Sequence, residues 1–415
     1  MIHGLMVSSS IVLPFMLLLS LTASSSLRSR STSIAATAVI VLSTTRHRLR
    51  HVHHHNTMNR SSIERLYRPH RKHPALFFDD DVDDQFKFLP QWIHPDLLEI
   101  VEYFQQKYQP STTATAATCT PLEEDEEQQL QQQQQQQDQD QEDNEKLKLP
   151  QPLKKEMDGV YSFRAFSDEF VNLFNEEIGN FYQMSKQHQI PIKRPNSMNN
   201  YGVVVNEIGL RPLISAFQHD YLWPLSRILF PKQASQFDDH HSFIVRYQAG
   251  EDLGLDMHTD DSDVTFNVCL GEHGFTKSTL TFCGMFGSPD HRHVSHVYHH
   301  EIGRAILHLG NRRHGADDIA TGKRINLIIW SHNWKWRSSP EYRQVRTTKS
   351  YQKESGPPDE QCLSYTHDVD YSAYEEIPER AKDLDLTPWC PPMGFEYDGF
   401  EEKIQASRRK EGNQK

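Results

Sequence analysis

The segment LGLDMHTDDSDVTFNVCLG (253–271) alternates apolar and polar residues and sets His258 and Asp260 two positions apart. In an extended strand residues i and i+2 leave the same face, so an imidazole and a carboxylate converge on one point. Such a pair can chelate a metal, form a salt bridge or arise by accident. As a metal clamp it is incomplete, and a third ligand must come from another strand. Of the 24 histidines, His51, His53, His54 and His55 lie in the basic N-terminal stretch. His291, His293, His296, His299 and His300 fall in or beside a loop or edge strand and are expected to be solvated. His308 and His314, in AILHLGNRRHGADDIATGKRINLIIW (305–330), remain.

Two imidazoles and one carboxylate on one face of an octahedron leave three positions open, the ligand set of non-haem Fe(II) oxygenases. Ten residues after His314, past a turn at Gly322, Arg324 is expected on the neighbouring strand. A guanidinium holds a carboxylate through two parallel hydrogen bonds. If 2-oxoglutarate filled two metal positions through its keto and C1 carboxylate oxygens, Arg324 could take the C5 carboxylate, leaving one position for O2. The same three ligands also suit a zinc hydrolase, but no Glu stands beside them as general base and Arg324 would have no role. A third alternative is a silent barrel acting as a binding module, which would carry no metal.

Such residues need a rigid frame. From about residue 241 the pattern has period two: SFIVRYQ (242–248), DVTFNVCL (263–270), STLTFCG (278–284), HVSHVYHH (293–300), GRAILHLG (303–310) and KRINLIIWSH (323–332), separated by turn residues. This spacing predicts a compact antiparallel barrel or sandwich. Helical spacing precedes it. Leu97, Ile100, Val101 and Phe104 mark one helix within 85–108, and Phe170, Phe174, Ile178 and Phe181 a second, preceded by Ser167. Leu213, Phe217, Tyr221, Leu225 and Leu229 are interrupted at Pro224, which predicts two short helices or one kinked one. The helices are expected on one outer face of the barrel.

Only part of the 415 residues can share that core. Residues 1–63 contain no Asp or Glu, and LEEDEEQQLQQQQQQQDQDQEDNEKL (122–147) is an acidic glutamine tract too poor in apolar groups to offset its ordering entropy. The chain thus divides into a leader (1–63), a short helical segment (64–118), a disordered acidic Gln-rich tract (119–150), a helical support region (151–240), a catalytic core (241–336) and a C-terminal extension (337–415) that includes PWCPPMGFEYDGF (388–400). The run IVLPFMLLLSLT (11–22) has signal-peptide length but lacks a basic n-region, and IAATAVIVL (34–42) follows it. The secretory pathway is the expected location, with organelle import or the cytoplasm as alternatives; the run is too short for a stable transmembrane span. The net charge of -12 and the lack of a basic, aromatic-interleaved stripe outside the leader argue against nucleic-acid binding. Five cysteines without C-x-x-C spacing write neither a zinc ribbon nor a dense disulfide framework. Cys269 and Cys283 are read as small buried hydrophobes, although one pair could form in an oxidising compartment.

RPNSMNNYGVVVNEIGL (194–210), FIVRYQAGEDLGLDMHTD (243–260), FNVCLG (266–271), LTFCGMF (280–286), ILHLGNRRHGA (306–316) and GKRINLIIW (322–330) together resemble the 2-oxoglutarate/Fe(II)-dependent dioxygenases of the prolyl 4-hydroxylase type, from about Gly159 to Trp334. The resemblance implies an α+β fold, a double-stranded β-helix (jelly-roll-like barrel) with supporting N-terminal helices. It implies His258, Asp260 and His314 as iron ligands and Arg324 on the 2-oxoglutarate C5 carboxylate, with Tyr247, in the R-Y-x-x-G position, as a further partner or else a plain barrel aromatic. His308 becomes an inward-facing or supporting histidine. Arg324 stands where collagen prolyl hydroxylases of this type carry a lysine and is closer to the lysyl-hydroxylase branch. The implied reaction hydroxylates a C–H bond, of a peptidyl Pro or Lys or alternatively of a small molecule, consuming O2 and 2-oxoglutarate with ascorbate as reductant. MFGSPDHRHVSHVYHH (285–300), rich in Gly, Ser and Pro, is expected to be a mobile flap over a bound peptide.

Overall fold

Period-two patterning becomes two antiparallel sheets in the computed structural model, which describes residues 61–78, 86–107, 148–346, 356–368, 371 and 374–382. Both apolar runs of the leader, the glutamine tract to residue 147, Cys119, Cys390 and 388–400 lie outside these residues. The strands are β1 (Lys154–Met157), β2 (Val160–Arg164), β3 (Gly202–Val204), β4 (Asp239–Gln248), β5 (Leu255–His258), β6 (Val264–Gly271), β7 (Thr276–Lys277), β8 (Leu280–Met285), β9 (Val294–Tyr298), β10 (Arg304–Leu309), β11 (Arg312–Ala316), β12 (Ile319–Thr321) and β13 (Lys323–His332). The large sheet runs β1-β2-β10-β6-β13-β4-β3 and the small one β5-β11-β8-β9, with β7 and β12 paired alone. The six runs read from the sequence correspond to β4, β6, β8, β9, β10 and β13. The short strands β1, β2, β3, β5 and β11 carry too few residues for their period to stand out.

Alternation sorts the large sheet into two faces. Val264, Phe266, Val268 and Leu270 of β6, with Leu327 and Ile329 of β13, join the main core. Thr265 and Asn267, and Arg324, Asn326, Ile328 and Trp330, line a cavity on the opposite side. Phe243, Val245, Ile306 and Ile328 of the large sheet pack with Leu280, Phe282 and Ala316 of the small one. The two sheets therefore face each other across the cavity.

Helices cover the outer face of the large sheet, as expected. These are α1 (Ser62–Tyr67), α2 (Pro95–Lys107), α3 (Asp168–His188), α4 (Arg211–Phe217) and α5 (Trp223–Leu229). The Ser167 side chain accepts from the Phe170 N–H at the start of α3, and Gln189 ends it in a left-handed conformation (φ 55°). Its apolar stripe, Phe170, Phe174, Ile178 and Phe181, is buried in the main core. A π-turn over Gln218–Leu222 joins α4 to α5, the kink expected where Pro224 cannot supply a helical N–H. Phe217 at that kink meets Phe266 edge-on, ring centroids 5.4 Å apart.

Three expectations are corrected. Cys283 is not a plain hydrophobe but is bonded to Cys362, 79 residues on, while Cys269 is free and buried as read. Arg324 is not on the strand beside His314: β11 belongs to the small sheet and β13 to the large one, so the residues approach across the cavity. The segment 285–300 is not a flap. It makes a tight turn, with His291 and Arg292 buried, and returns as β9 against β8. Composition suggested mobility there because solvent-seeking residues and turn-formers also serve a packed turn.

Candidate metal centre

His258 ends β5, and Asp260 lies two residues beyond the end of the strand. The Asp260 N–H donates to the Gly310 carbonyl at 2.8 Å, and a Cβ at Gly310 would lie 2.0 Å from the Ser262 carbonyl oxygen. Only glycine permits that approach. The third partner arrives by pairing: His314 of β11 stands opposite His258 of β5.

Ligand-capable atoms of His258, Asp260 and His314 lie within 4.8 Å of one another, and all three residues are buried. Asp260 Oδ1 is 3.5 Å from His258 Nε2, and Oδ2 is 3.6 Å from His314 Nε2. The Thr265 hydroxyl donates to Oδ2 at 2.6 Å. His258 Nδ1 lies 2.7 Å from the Asp256 carbonyl and His314 Nδ1 3.0 Å from that of Arg312. Each contact is satisfied by an Nδ1–H, which leaves both Nε2 lone pairs turned inward as metal ligands require. Burial by itself would raise the Asp260 carboxyl, but the neighbouring His314 and His258 outweigh it and hold it well below the usual carboxylate range. Burial pushes His314 down to about 3 despite Asp260. The donor set is a carboxylate and a neutral imidazole with a second imidazole beside them, and it fits a divalent cation that prefers mixed N/O ligands.

The same cavity is lined by Arg324 and Tyr247. They pair across β13 and β4, and the guanidinium carbon lies 4.6 Å from the Tyr247 ring centroid. Tyr247 is 3% exposed and its hydroxyl accepts from Asn199 Nδ2 at 3.2 Å, so the phenol points inward rather than to the surface. Arg324 is 1% exposed; Nη1 donates to His300 Nε2, whereas Nε and Nη2 have no partner among the described residues. Burial lowers the Arg324 pKa, and burial followed by Arg324 drives His300 far below its ordinary value. His300 is therefore a neutral acceptor and not the solvated histidine expected. It lies two residues past the end of β9, its ring 5.3 Å from that of the buried Tyr298.

His308 is buried with its ring 4.7 Å from that of His314 and 5.2 Å from Phe282, beside the three-residue cluster but not within it. Sequence reasoning missed the loop 196–199, which lines the cavity. Asn196 Oδ1 accepts from the Met198 and Asn199 N–H groups at 2.8 and 2.7 Å, and Arg194 donates to the Asn199 and Ser197 carbonyls. The motif quoted for resemblance, RPNSMNNYG, is thus a loop that braces itself at the cavity.

An OGFOD2-like domain matches residues 121–235. The 2-oxoglutarate and iron-dependent oxygenase domain-containing protein 2 of Homo sapiens is 37% identical over 173 residues, 41% of this chain and 48% of that protein. The chain resembles the 2-oxoglutarate and iron-dependent oxygenases. Protein ICU11 of Arabidopsis thaliana, named for the same domain, is 33% identical over 192 residues, 45% of this chain and 48% of its own length. This oxygenase-like chain spans about half the length of the curated relatives it matches. A prolyl 4-hydroxylase structure from Pseudomonas putida overlaps 43% of this chain and 94% of its own, at 15% identity and a TM-score of 0.31.

Proposed function

We propose that this protein is a 2-oxoglutarate- and Fe(II)-dependent dioxygenase that hydroxylates a C–H bond while 2-oxoglutarate is decarboxylated to succinate. The observation that carries this is the buried Arg324 guanidinium, with two N–H-bearing nitrogens unpartnered, on the same cavity wall system as a two-histidine, one-carboxylate cluster. A buried cation without a carboxylate is costly, and a dicarboxylate that also chelates the cluster offsets that cost. On this reading the two sheets form a double-stranded β-helix. Fe(II), when bound, supplies the redox chemistry that couples O2 reduction to C–H oxidation, and ascorbate is the reductant that keeps it ferrous.

The chain's own residues hold and orient. His258, Asp260 and His314 fix the metal through Nε2, a carboxylate oxygen and Nε2. Arg324 would hold the C5 carboxylate, with Tyr247 beside it on the neighbouring strand β4, while neutral His300 holds Nη1 from behind. The apolar walls, Phe243, Leu255 and Ile328 among them, keep water from the reacting carbon. A zinc hydrolase lacks support here, because Asp260 is the one acid among the lining residues and it is spoken for as a ligand.

For the substrate we favour a peptidyl Pro or Lys. Arg324 is the one Lys or Arg side chain lining the cavity, so with 2-oxoglutarate bound no cation remains to hold an acidic metabolite. Asn326, whose Oδ1 has no partner among the described residues, and the adjoining Asn267 supply amide groups suited to peptide backbone. The Cys283–Cys362 bond supports a secretory, oxidising location. An anaerobic titration with Fe(II) and 2-oxoglutarate tests the chemistry: a visible metal-to-ligand charge-transfer band is expected, and its absence in folded protein counts against the proposal. Incubation with a secretome digest and a metabolite extract tests the substrate; one-oxygen mass gains confined to small molecules would sink the peptide reading.

A further inference from the structure

The strand β5 poses a mechanical difficulty. It has four residues, pairs on one side only, with β11, and forms the edge of the small sheet, yet it ends in His258. A strand this short at an edge has little of its own to hold a ligand still. What lies beside it is a segment from far along the chain. The Asp256 carboxylate, 9% exposed, receives the Ser364 hydroxyl at 2.6 Å and, at 2.5 and 2.9 Å, the Thr366 hydroxyl and N–H, all on Oδ2. Its Oδ1 receives the Met257 N–H at 2.8 Å and that of Tyr365 at 3.3 Å. The carbonyl of this same residue takes Nδ1–H of His258.

The segment is itself anchored to the other strands of the small sheet. Cys362 is bonded to Cys283 of β8. Arg313, next to His314 on β11, donates from Nη2 to the Cys362 carbonyl at 2.7 Å and to Asp368 Oδ2 at 2.9 Å. We propose that residues 362–368 act as a positioning strap for His258, with Ser364 and Thr366 fixing Asp256 and Asp256 fixing the imidazole. The proposal rests on the reading of the cluster as a divalent-metal site. Groups that orient a ligand in this way typically set metal affinity by about 10- to 100-fold.

The test uses the full chain and Co(II), a redox-silent probe with visible d–d bands. The double variant Ser364→Ala, Thr366→Val is expected to bind Co(II) at least about 10-fold more weakly than wild type, with altered d–d intensities, at temperatures well below its melting point. Thr366→Ser, which keeps the hydroxyl, should bind as wild type does. If the double variant does not fold, Thr366→Val alone is read the same way. Wild-type affinity and spectrum in the hydroxyl-less variant, whatever its melting temperature, overturns the strap. Failure of wild type itself to bind Co(II) overturns the metal reading, and the strap's role with it.

Discussion

The two ends of the cavity bury charge of opposite sign. At one end Asp260 accepts the Thr265 hydroxyl and faces the Nε2 atoms of His258 and His314 at 3.5 and 3.6 Å, so a carboxylate and two inward lone pairs gather around one point. At the other, Arg324 is just as buried, and its direct contacts among the described residues are a neutral His300 and the face of Tyr247. The first is an anionic nest lined by lone pairs, which a cation can enter without displacing a positive group of the chain. The second is unfinished. The difference teaches that one cavity offers ligand atoms to a cation at one end and a guanidinium edge to an anion at the other, the two features that the proposed chelating dicarboxylate would use in one molecule.

Breaking the first end has the largest expected effect. Asp260→Ala or His314→Ala should reduce Co(II) affinity by more than ~100-fold, beyond what orienting groups control, with the circular-dichroism spectrum unchanged; His308→Ala should retain binding. Loss of metal in His308→Ala with retention in His314→Ala would reassign the third ligand.

Breaking the second end should separate binding from stability. Arg324→Met is expected to weaken binding of the unreactive analogue N-oxalylglycine by about 2–5 kcal/mol, the usual cost of removing one partner of a buried charge pair, while Co(II) affinity stays put. The ligand-free variant should melt higher than wild type, because an unpaired buried cation has been replaced by an apolar side chain. A ligand-free variant that melts lower would mean that Arg324 is compensated within the chain and that the comparison drawn here is wrong.

The smallest effect lies away from both ends and serves as a control. His240, hydrogen-bonded to Ser242 and Ser215, is pushed down to about 3, by burial first and Arg211 next. The unfolded chain therefore binds a proton that the folded one refuses between the ordinary value near 6.5 and about 3, so stability falls as pH drops through that window. Melting temperature should decline from pH 7 to pH 5, and more gently in His240→Gln, whose absolute stability is lower. An equal slope in the variant would place the acid sensitivity elsewhere, in His314 for instance.

Much of this was legible in the chain itself. Alternation within KRINLIIW sends Ile325, Leu327 and Ile329 to the helices and Arg324, Asn326 and Ile328 to the cavity, because a pleated strand has no other choice. The helix behind Ser167 and the kink at Pro224 follow from local backbone chemistry in the same way. The three candidate ligands and the arginine could be singled out because H-x-D, a distal histidine and an arginine ten residues on are a short list of chemically suited groups.

What the sequence could not decide was everything set by contact between distant segments. Alternation named the pair His258 and Asp260, but what holds Asp260 past the end of β5 is a long-range contact, its N–H on the carbonyl of Gly310 where that glycine closely approaches Ser262. Nothing in the spacing of His314 and Arg324 says that they sit on facing sheets, since that depends on which strand pairs with which. His300 read as surface because its neighbours are polar, yet the chain just past β9 sets it against Arg324. Cys283 has no nearby partner in the chain, and only the return of residues 356–368 across the small sheet supplies Cys362. Local patterning is enforced by the backbone at every residue, whereas these contacts exist only once long loops have closed, and loop closure leaves no periodic trace in a single sequence.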